Sequence, residues 1–381
     1  MTIFTHIKNT YIKFCDKFFS FSKVQENKIL FINFNGLGYG DNPKAVCEYL
    51  RKNNPNLDLV WLSNTLEGYP EGVRVVKYGS FRSFYEQATS KVWLYNTRAF
   101  ARINKKEGQK FIQLWHGPAG FKHVESAANM SEDYVKQAKY DSSVTDIMIS
   151  DSALQTQEFK KFFWYNGPIE ELGMPRNDVL YSLRDNQHYK DKIRKSLSIN
   201  LEDKVVLYAP TFRDDGNLDY LNLDFEKLVC SLETGFGESV TLLIRLHPNA
   251  IHNSEKINFS KKIKNASFYS DMQELLIVSD VLISDYSSAI TDFILLEKPY
   301  IRYANDLKEY LEKRGLTQLY FDLPDKLIES KDELYEYVSS ILDNFSKSEI
   351  KKLRNEKIRP VFHGDSSQKV GEIVQAYVAD K

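Results

Sequence analysis

Short apolar runs alternate with amphipathic stretches along most of the chain. From residue 28 onward the apolar runs have the length of buried strands, and the apolar residues between them recur at the spacing of a helix. Strands of a parallel sheet that are buried on both faces appear in a sequence as continuous apolar runs. In the first half of the chain this pattern predicts strands at 29–34, 57–62, 91–96, 111–116 and 146–150, and helices at 42–52, 80–89 and 131–140.

The same alternation begins again after a segment rich in turn-forming residues. Residues 172–182 contain Gly, Pro and Asn and are typical of a connector. The pattern beyond it predicts strands at 204–210, 240–248, 281–285 and 299–303, and helices at 222–233, 272–278, 287–296 and 332–343. Two such blocks predict an α/β protein with two Rossmann-like parallel-sheet domains, at 28–185 and 186–381. The polar helical stretch at 346–380 is expected to cross back over the first domain.

An amphipathic helix is predicted at the N-terminus, within residues 1–27. Its apolar residues recur at steps of three and four, and lysines flank them. The stripe comprises Ile3, Phe4, Ile7, Tyr11, Phe14, Phe18 and Phe21, and the lysines are Lys8, Lys13, Lys17 and Lys23. The helix could pack on its own domain, or it could lie in a membrane interface with its lysines at anionic head groups. A partner-binding helix is a third interpretation.

Composition and charge exclude several classes of protein. The 381 residues are 42% hydrophobic and 27% charged, which is ordinary for a globular protein with two domains. A net charge of −1 and a pI of about 6.7 give no support to a nucleic-acid partner. The three cysteines lie far apart, without metal-site spacing, which suits a reducing cytoplasm. The chain contains neither an apolar run of membrane-spanning length nor a signal peptide.

Polar and charged residues stand at the ends of four predicted strands. Ligands of parallel α/β sheets bind at the carboxyl ends of the strands, so this position favours a functional interpretation. The residues are His116 and Gly117 in QLWHGPAGFKH, Thr211 and Arg213 in YAPTFRD, Arg245 and His247 in IRLHPN, and Asp285, Ser287 and Ser288 in ISDYSS. Together they predict a site for an anionic ligand, because arginine binds phosphate bidentately and helix N-termini supply N–H donors.

Each of these residues also has a purely structural interpretation. A single histidine after a strand is commonly a structural residue, and Arg213 could pair with a nearby carboxylate such as Asp214. Ser287 could only cap the following helix, and Asp285 could only hold the turn. The glycines of FNGLGYGDNP do not have the spacing of a dinucleotide-binding motif, and no Walker or metal-binding motif occurs. The site is therefore expected to use neither a metal nor a cofactor.

The four strand-end motifs, in this order, resemble those of the CDP-glycerol:polyglycerophosphate glycerophosphotransferase family. The matching stretches are LWHG, YAPTFRD, RLHP and ISDYSS followed by DF, with further likeness in FNGLGYGDNPKAVCEYL, NDLKEYLEKRGL, YFDLP and FHGDSSQKV. Members of this family include the teichoic-acid primases and polymerases of Gram-positive bacteria. One departure follows His116, where the family pattern Thr-Pro-Leu-Lys is replaced by PAGFKH. Lys122 can stand in for the family lysine.

The resemblance implies a glycosyltransferase-B-like fold and peripheral association with the cytoplasmic face of the membrane. It also implies transfer of glycerol phosphate from CDP-glycerol to a lipid-linked acceptor of teichoic-acid or capsule type, with release of CMP. His116 is the expected general base, and Arg213 and His247 are expected to stabilise the developing charge. The residues expected to bind substrate are Gly117, Thr211, Arg245, Asp285, Ser287 and Ser288.

Three other functions remain open at this point. CDP-ribitol differs from CDP-glycerol only in its polyol, and no residue in the sequence chooses between them. A nucleotide-sugar glycosyltransferase would use the same architecture and the same diphosphate site. A non-catalytic module could instead tether a cell-wall assembly complex through the N-terminal helix, although such a module would have no use for His116, Arg213 and His247.

Overall fold

The structure is a computed structural model and describes residues 3–99, 101–118, 120–213, 215–341 and 345–379; for 3–5 it describes the backbone alone. Two compact units divide the chain. Unit 1 comprises Met1–Gly117, Glu125–Asp178 and Val361–Lys381, and unit 2 comprises Pro118–Val124 and Val179–Pro360. Each unit is built on one parallel sheet, which confirms the predicted α/β class with two parallel-sheet domains.

The sheet of unit 1 has seven strands in the order β3-β2-β1-β4-β5-β6-β7, and its strand pairs are parallel. The strands are β1 (Gln25–Ile32), β2 (Asp58–Ser63), β3 (Val73–Lys77), β4 (Ser90–Tyr95), β5 (Lys110–Gln113), β6 (Ile147–Ser150) and β7 (Ile169–Glu171). The first five helices of the described chain are α1 (Ile3–Phe19), α2 (Asp41–Asn53), α3 (Phe81–Thr89), α4 (Glu132–Val144) and α5 (Ala153–Phe162). Short 3₁₀ helices lie at Glu125–Ala127 and Pro175–Asn177.

The sheet of unit 2 has six strands in the order β10-β9-β8-β11-β12-β13, again with parallel pairs. The strands are β8 (Lys204–Tyr208), β9 (Val240–Ile244), β10 (Ile263–Asn265), β11 (Val281–Ser284), β12 (Tyr300–Tyr303) and β13 (Leu327–Ile328). The remaining helices are α6 (Asp178–Ser182), α7 (Gln187–Ser196), α8 (Phe225–Phe236), α9 (Met272–Val278), α10 (Ala289–Ile294), α11 (Leu307–Lys313), α12 (Gln318–Phe321), α13 (Lys331–Val338), α14 (Lys347–Lys352) and α15 (Ser366–Ala379). A π-helical segment follows α14 at Leu353–Ile358, and 3₁₀ helices lie at Asp219–Leu221 and Pro248–Lys256.

Strand β1 shows why the second half of a central strand is an unbroken apolar run. Ile29 and Phe31 join the apolar cluster on one face of the sheet, while Leu30 and Ile32 join the cluster on the other face. Successive strand residues point to opposite faces, so a strand covered on both sides needs apolar residues at every position.

The last helix of the chain packs in unit 1. Val370 and Val374 of α15 belong to the same apolar cluster as Val46 and Leu50 of α2. The carboxylate of Asp178 accepts hydrogen bonds from the N–H groups that begin α15, at Ser366 (3.0 Å) and Ser367 (2.7 Å). Asp178 and the last helix both belong to unit 1, and the chain passes into unit 2 after residue 178. The predicted domains divide after residue 185.

Helix α1 forms where an N-terminal helix was predicted, but the predicted stripe packs only in part: the rings of Tyr11 and Phe18 contact Phe84 and Phe81 of α3, at 5.6 and 5.3 Å. Helix α1 contacts α3 through Cys15 and Phe19, which are buried. The stripe residues whose side chains the structure describes are exposed instead: Ile7 by 59%, Tyr11 by 38%, Phe14 by 57%, Phe18 by 59% and Phe21 by 94%. The side chains of Ile3 and Phe4 lie outside the described residues. Helix α1 therefore covers only part of its apolar surface against α3 and leaves the rest, including most of Phe14, towards solvent.

Within the described residues, no helix has the length and apolar character needed to cross a membrane.

Candidate active site

His116 lies in the loop after β5 and is half-buried. Its Nδ1 atom is 2.8 Å from the backbone oxygen of Asn96, at the end of the neighbouring strand β4. Its ring also contacts the rings of Phe34 and Trp115, at centroid distances of 5.2 and 4.5 Å. The imidazole is thereby held at the carboxyl edge of the sheet of unit 1.

The hydrogen bond to Asn96 determines which nitrogen of His116 can accept a proton. A carbonyl oxygen only accepts hydrogen bonds, so Nδ1 carries the hydrogen and Nε2 of the neutral ring keeps its lone pair. Burial lowers the pKa of His116 below its usual 6.5, opposed mainly by the hydrogen bond to the Asn96 carbonyl and by the charge of Asp41. The neutral ring therefore predominates at pH 7. This is the state that a general base requires.

The backbone around His116 is strained. Four residues with side chains adopt left-handed conformations here: Phe34 (φ 40°), Asn35 (φ 54°), Asp41 (φ 57°) and Trp115 (φ 50°). Conformations of this kind cost on the order of 1–3 kcal/mol each and persist where the surrounding structure enforces them. Phe34 and Trp115 are also the two residues whose rings contact the imidazole. The strain is thus concentrated at the predicted catalytic histidine.

The turn after β1 depends on a glycine. Gly36 has φ 100°, and a Cβ atom at this position would lie 3.0 Å from Asn64 Nδ2 and 3.0 Å from Tyr78 Cβ. Only glycine satisfies both the conformation and the close packing. Gly36 of the FNGLGYG segment is therefore required by the turn that places Phe34 against His116.

Polar side chains from two distant segments hold the His116 loop in place. The side-chain amide of Asn42 donates to the Trp115 carbonyl at 2.9 Å. Arg176 donates to the Asp41 carboxylate at 2.7 Å and also to the backbone carbonyl of His116. The positive charge of Arg176 disfavours protonation of His116, while the negative charge of Asp41 favours it. The first turn of α2 and the segment 172–178 thus act as supports for the predicted base.

At Gly117, directly after His116, the packing of the described residues does not require a glycine. A Cβ atom built at Gly117 would meet nothing within 4 Å, so the space beside this backbone is open. Its carbonyl accepts a hydrogen bond from the side chain of Gln155. The prediction that Gly117 lies beside substrate stays a prediction.

Arg213 is the centre of a buried charge cluster in unit 2. Its guanidinium donates to both carboxylate oxygens of Asp306, at 2.6 and 3.0 Å, and to Asp285 at 2.8 Å. Its Nη1 atom donates to the Thr211 carbonyl at 2.5 Å, and the side chain is almost fully buried. Asp214 lies outside the described residues, and the carboxylate partners in the structure are Asp285 and Asp306. With its donors directed at these groups, Arg213 is placed to position the loop after β8.

Asp285 joins the loop after β8 to the turn after β11. Its carboxylate accepts hydrogen bonds from the N–H of Thr211 at 2.9 Å and from the N–H of Tyr286 at 2.6 Å, in addition to Arg213. Tyr286 donates its hydroxyl hydrogen to Asp306 at 2.8 Å and stacks on Tyr310 at 3.7 Å. Asp285 and Tyr286 of the DYSS sequence are therefore interior residues that shape the turn.

Ser287 and Ser288 are the half-exposed residues of the same turn. The Ser287 hydroxyl accepts a hydrogen bond from the N–H of Ala289 at 3.2 Å. Ser288 precedes α10, and its side chain makes no capping hydrogen bond. The capping interpretation thus accounts for Ser287 but not for Ser288.

Thr211 presents a buried hydroxyl at the same strand end. Its Oγ1 atom is shielded from solvent and has no hydrogen-bond partner among the described residues. A buried hydroxyl without a partner costs free energy, so an orphaned one suggests a group that binds there. Thr211 Oγ1 can donate to, or accept from, a polar ligand.

Arg245 differs from Arg213 because no carboxylate neutralises it among the described residues. Its N–H pairs with β8 through the Tyr208 carbonyl at 2.9 Å, and its Nη1 donates to the Tyr269 carbonyl. Burial lowers the pKa of Arg245, opposed by the charge of Asp271. A desolvated guanidinium without an ion-pair partner at a strand end is a suitable phosphate ligand.

His247 stands at the start of the 3₁₀ helix Pro248–Lys256 and is exposed. Its Nδ1 accepts a hydrogen bond from the N–H of Asn249 at 3.2 Å, and its ring stacks on Phe212 at 5.7 Å. Because Nδ1 accepts, the neutral ring carries its hydrogen on Nε2. His247 and His116 therefore have opposite tautomers, one suited to donating a hydrogen bond and the other to accepting a proton.

Among the described residues, no group of three or more His, Cys, Asp or Glu side chains is arranged to hold a metal ion.

Comparison with known proteins identifies the family. The family model described as CDP-Glycerol:Poly(glycerophosphate) glycerophosphotransferase matches residues 15–376. The chain belongs to this family. This match confirms the resemblance that was based on the four strand-end motifs.

The relatives of the chain act in teichoic-acid synthesis. The teichoic acid poly(glycerol phosphate) polymerase of Staphylococcus epidermidis is 30% identical over 94% of this chain, and the chain spans about half, 52%, of that polymerase. The teichoic acid glycerol-phosphate transferase of Staphylococcus aureus is 29% identical, over 92% of this chain and 93% of that protein. A teichoic acid poly(ribitol-phosphate) polymerase of Bacillus spizizenii is 25% identical over 84% of this chain and 52% of that protein.

A solved structure is similar over nearly the whole chain. The wall teichoic acid polymerase TagF, in a histidine-to-asparagine variant soaked with CDPG, has a TM-score of 0.87 and 25% identity. The similarity covers 99% of this chain and 98% of that one. Its fold supports the predicted two-domain glycosyltransferase-B-like class.

Several residues of this family member were not found by the sequence reasoning. Asn96 holds the imidazole, Arg176 holds the carbonyl of His116, and Asp306 pairs with Arg213. Asn96 ends a predicted strand, so the rule used for the histidines would also have selected it. Asp306 follows the predicted strand 299–303 by three residues, as Arg213 follows the strand 204–210, so the same rule would have selected it, whereas Arg176 in the connector offered no such signal.

Proposed function

We propose that this chain transfers glycerol phosphate from CDP-glycerol to a lipid-linked acceptor of teichoic-acid type and releases CMP. Membership of the glycerophosphotransferase family supports the reaction class. The single structural observation that carries the mechanism is His116, held through Nδ1 so that Nε2 can accept a proton. Because the first relatives are about twice as long as this chain, the activity is proposed for the chain itself rather than taken from them.

In the proposed reaction, an acceptor hydroxyl attacks the β-phosphorus of CDP-glycerol. A new phosphorus–oxygen bond forms, and the bond from that phosphorus to the bridging oxygen breaks, so that CMP leaves with the bond electrons. The hydroxyl proton passes to Nε2 of His116. The reaction is a single displacement and needs no covalent enzyme intermediate.

Residues of unit 2 are proposed to hold the donor. Arg245 supplies a positive charge that no carboxylate neutralises among the described residues, and His247 supplies an N–H donor at Nε2. The hydroxyls of Thr211, Ser287 and Ser288 are the further proposed contacts to the diphosphate, together with the N–H groups that begin α10.

Arg213 and Asp285 have a different proposed role from the one expected from the sequence. Both are almost fully buried, and their donors and acceptors are directed at each other, at Thr211 and at Asp306. They are better suited to shaping the loops that contact the donor than to contacting phosphate. We therefore treat Arg213 and Asp285 as positioning residues.

The exposed aromatic face of α1 is proposed to bring the enzyme to the cytoplasmic surface of the membrane. Phe14 and Phe18 of α1, and Phe21 in the turn that follows it, are each more than half exposed, and lysines accompany them along the sequence. Aromatic residues favour the acyl boundary of a bilayer, and lysines favour anionic head groups. A peripheral position would place the enzyme beside a lipid-linked acceptor.

The test is transfer from radiolabelled CDP-glycerol and CDP-ribitol to a lipid-linked disaccharide that bears a glycerol phosphate primer. We expect CMP release and a longer product with CDP-glycerol, and one added unit or many would separate a primase from a polymerase. Transfer from CDP-ribitol alone would establish the ribitol alternative, which the ribitol-phosphate relatives favour. Release of UMP or UDP from sugar nucleotides, without CMP release, would contradict the proposal.

A further inference from the structure

The segment 118–124 lies two residues beyond His116 yet belongs to unit 2. The N–H of Thr317 donates to the Phe121 carbonyl at 2.7 Å, and Lys122 forms an antiparallel bridge with Leu316. The buried ring of Phe121 packs edge-on against Tyr320 at 5.4 Å. These contacts fix the backbone of Lys122 without using its side chain.

The Lys122 ammonium group has no partner of its own among the described residues. No carboxylate oxygen there lies within the 4.0 Å of an ion pair, and the closest aromatic contact is the Tyr310 ring at 5.9 Å. Burial lowers the pKa of Lys122 to about 8, opposed by the charge of Asp285 and reinforced by those of Arg213 and Arg314. Among the side chains that the structure describes, this ammonium group therefore has neither a counter-ion nor a hydrogen-bond acceptor.

The obvious internal partner, Asp285, is already occupied. Its carboxylate accepts hydrogen bonds from Arg213, from the N–H of Thr211 and from the N–H of Tyr286. The cluster of Arg213, Asp285 and Asp306 has a net charge of −1. Within the protein, Lys122 could therefore only balance this charge from a distance. That role would need neither its hydrogen-bond donors nor an approach to ligand.

We propose that Lys122 is a ligand of the donor diphosphate, an assignment that rests on the proposed function. Lys122 Nζ and Arg213 Cζ lie 5.9 and 5.2 Å from the ring centroid of Tyr310, and Arg213 donates to the Thr211 carbonyl, so Lys122 lies by the same strand end as the orphaned Thr211 hydroxyl. A diphosphate oxygen supplies the negative charge and the acceptors that the ammonium lacks. Since Lys122 and His116 share one loop, the residue that binds the donor is joined by a few peptide units to the proposed base.

The experiment is calorimetric titration of the full chain with CDP-glycerol and, separately, with inorganic pyrophosphate. We compare the wild type with Lys122→Met, Lys122→Arg and the control Lys313→Met. Lys313 is an exposed lysine of α11 that pairs with Asp215, so its loss removes the same charge from a neighbouring surface. Melting temperatures verify folding, which the backbone bridge at Lys122 should preserve.

We expect Lys122→Met to weaken both ligands at least tenfold, Lys122→Arg to weaken them less, and Lys313→Met to change them less than twofold. Unchanged binding by Lys122→Met, with or without a lower melting temperature, would overturn the assignment and leave only a counter-charge. If wild type binds pyrophosphate but not CDP-glycerol, and Lys122→Met loses that binding, the assignment stands and the proposed donor fails. If wild type binds neither ligand, both fail.

The pH dependence of binding separates a direct ligand from a structural residue. The groups that face Lys122 are Asp285, Arg213, Arg314 and the ring of Tyr310, and burial raises the pKa of Tyr310 far above neutrality. Diphosphate affinity should therefore fall as pH rises through about 8, where free Lys122 loses its proton. Lys122→Arg should abolish this decline because arginine stays charged. The same decline in Lys122→Arg would contradict the assignment.

Discussion

Replacement of Asp285 by Asn would test whether the buried cluster shapes the donor-binding loops. The asparagine has the same shape, but its amide nitrogen must face either Arg213, now 2.8 Å from the carboxylate, or the N–H groups of Thr211 and Tyr286, at 2.9 and 2.6 Å. Either orientation sets donor against donor and leaves Arg213 with one carboxylate fewer. Removing one partner of a buried ion pair costs about 3–5 kcal/mol. At about 2–4 °C per kcal/mol for a unit of this size, the melting temperature should fall by roughly 6–20 °C.

The measurement is thermal unfolding by circular dichroism, with CDP-glycerol affinity determined on the folded protein well below the transition. Asp325→Asn is the matched control, because Asp325 forms another buried pair in unit 2, with Arg302 at 2.8 Å. Both variants should be destabilised, but only Asp285→Asn should also lose donor affinity. Wild-type stability of Asp285→Asn, or an equal loss of affinity in Asp325→Asn, would refute the reasoning.

Three further predictions concern the base, the donor site and the membrane face. Because the pKa of His116 is lowered and a base must be unprotonated, kcat/KM should fall with decreasing pH only below 6.5; a midpoint above 6.5 would contradict this. Arg245→Gln should weaken CDP-glycerol binding about tenfold to a hundredfold, measured by calorimetry, without loss of melting temperature, since it has no ion pair among the described residues. Phe14→Ser with Phe18→Ser should reduce sedimentation with anionic vesicles at least tenfold. The control Phe268→Ser, at a side chain 72% exposed elsewhere, should not, and equal losses would refute a specific membrane face.

The central strands could be predicted from the sequence because burial on both faces leaves an unbroken apolar run. Strand β1, for example, contributes alternate residues to two apolar clusters. Strands β3, β7, β10 and β13 were not predicted. They are the outermost strands of their sheets, and β7 consists of Ile169 and two exposed glutamates. An edge strand has fewer neighbours to cover it, so its composition resembles that of a loop.

The position of the candidate site could be predicted, but the roles of its residues could not. Selecting polar residues after strands found His116, Arg213, Arg245 and Asp285. It could not distinguish Arg213 from Arg245. The two arginines differ because Asp306, from a loop distant in the sequence, pairs with Arg213, whereas Arg245 donates to the Tyr269 carbonyl. A sequence shows which groups reach a strand end, whereas the structure shows which of them already have partners.

The N-terminal helix gives a similar lesson about periodicity. The steps of three and four correctly predicted helix α1, and they selected Ile7, Phe14 and Phe18 as its apolar face. The face that packs on α3 includes Cys15 and Phe19, which lie beside that stripe. Because the apolar residues of α1 extend beyond one narrow stripe, spacing alone does not show which of them are buried.

The most direct test of the account is acceptor-dependent release of CMP from CDP-glycerol by wild type and by His116→Asn. Asparagine can retain the hydrogen bond to the Asn96 carbonyl while removing the proton acceptor at Nε2, so the loop should keep its shape. We predict that kcat falls about 10²- to 10⁴-fold, as expected for loss of a general base, with CDP-glycerol affinity preserved. A folded His116→Asn variant that releases CMP at the wild-type rate would contradict the account.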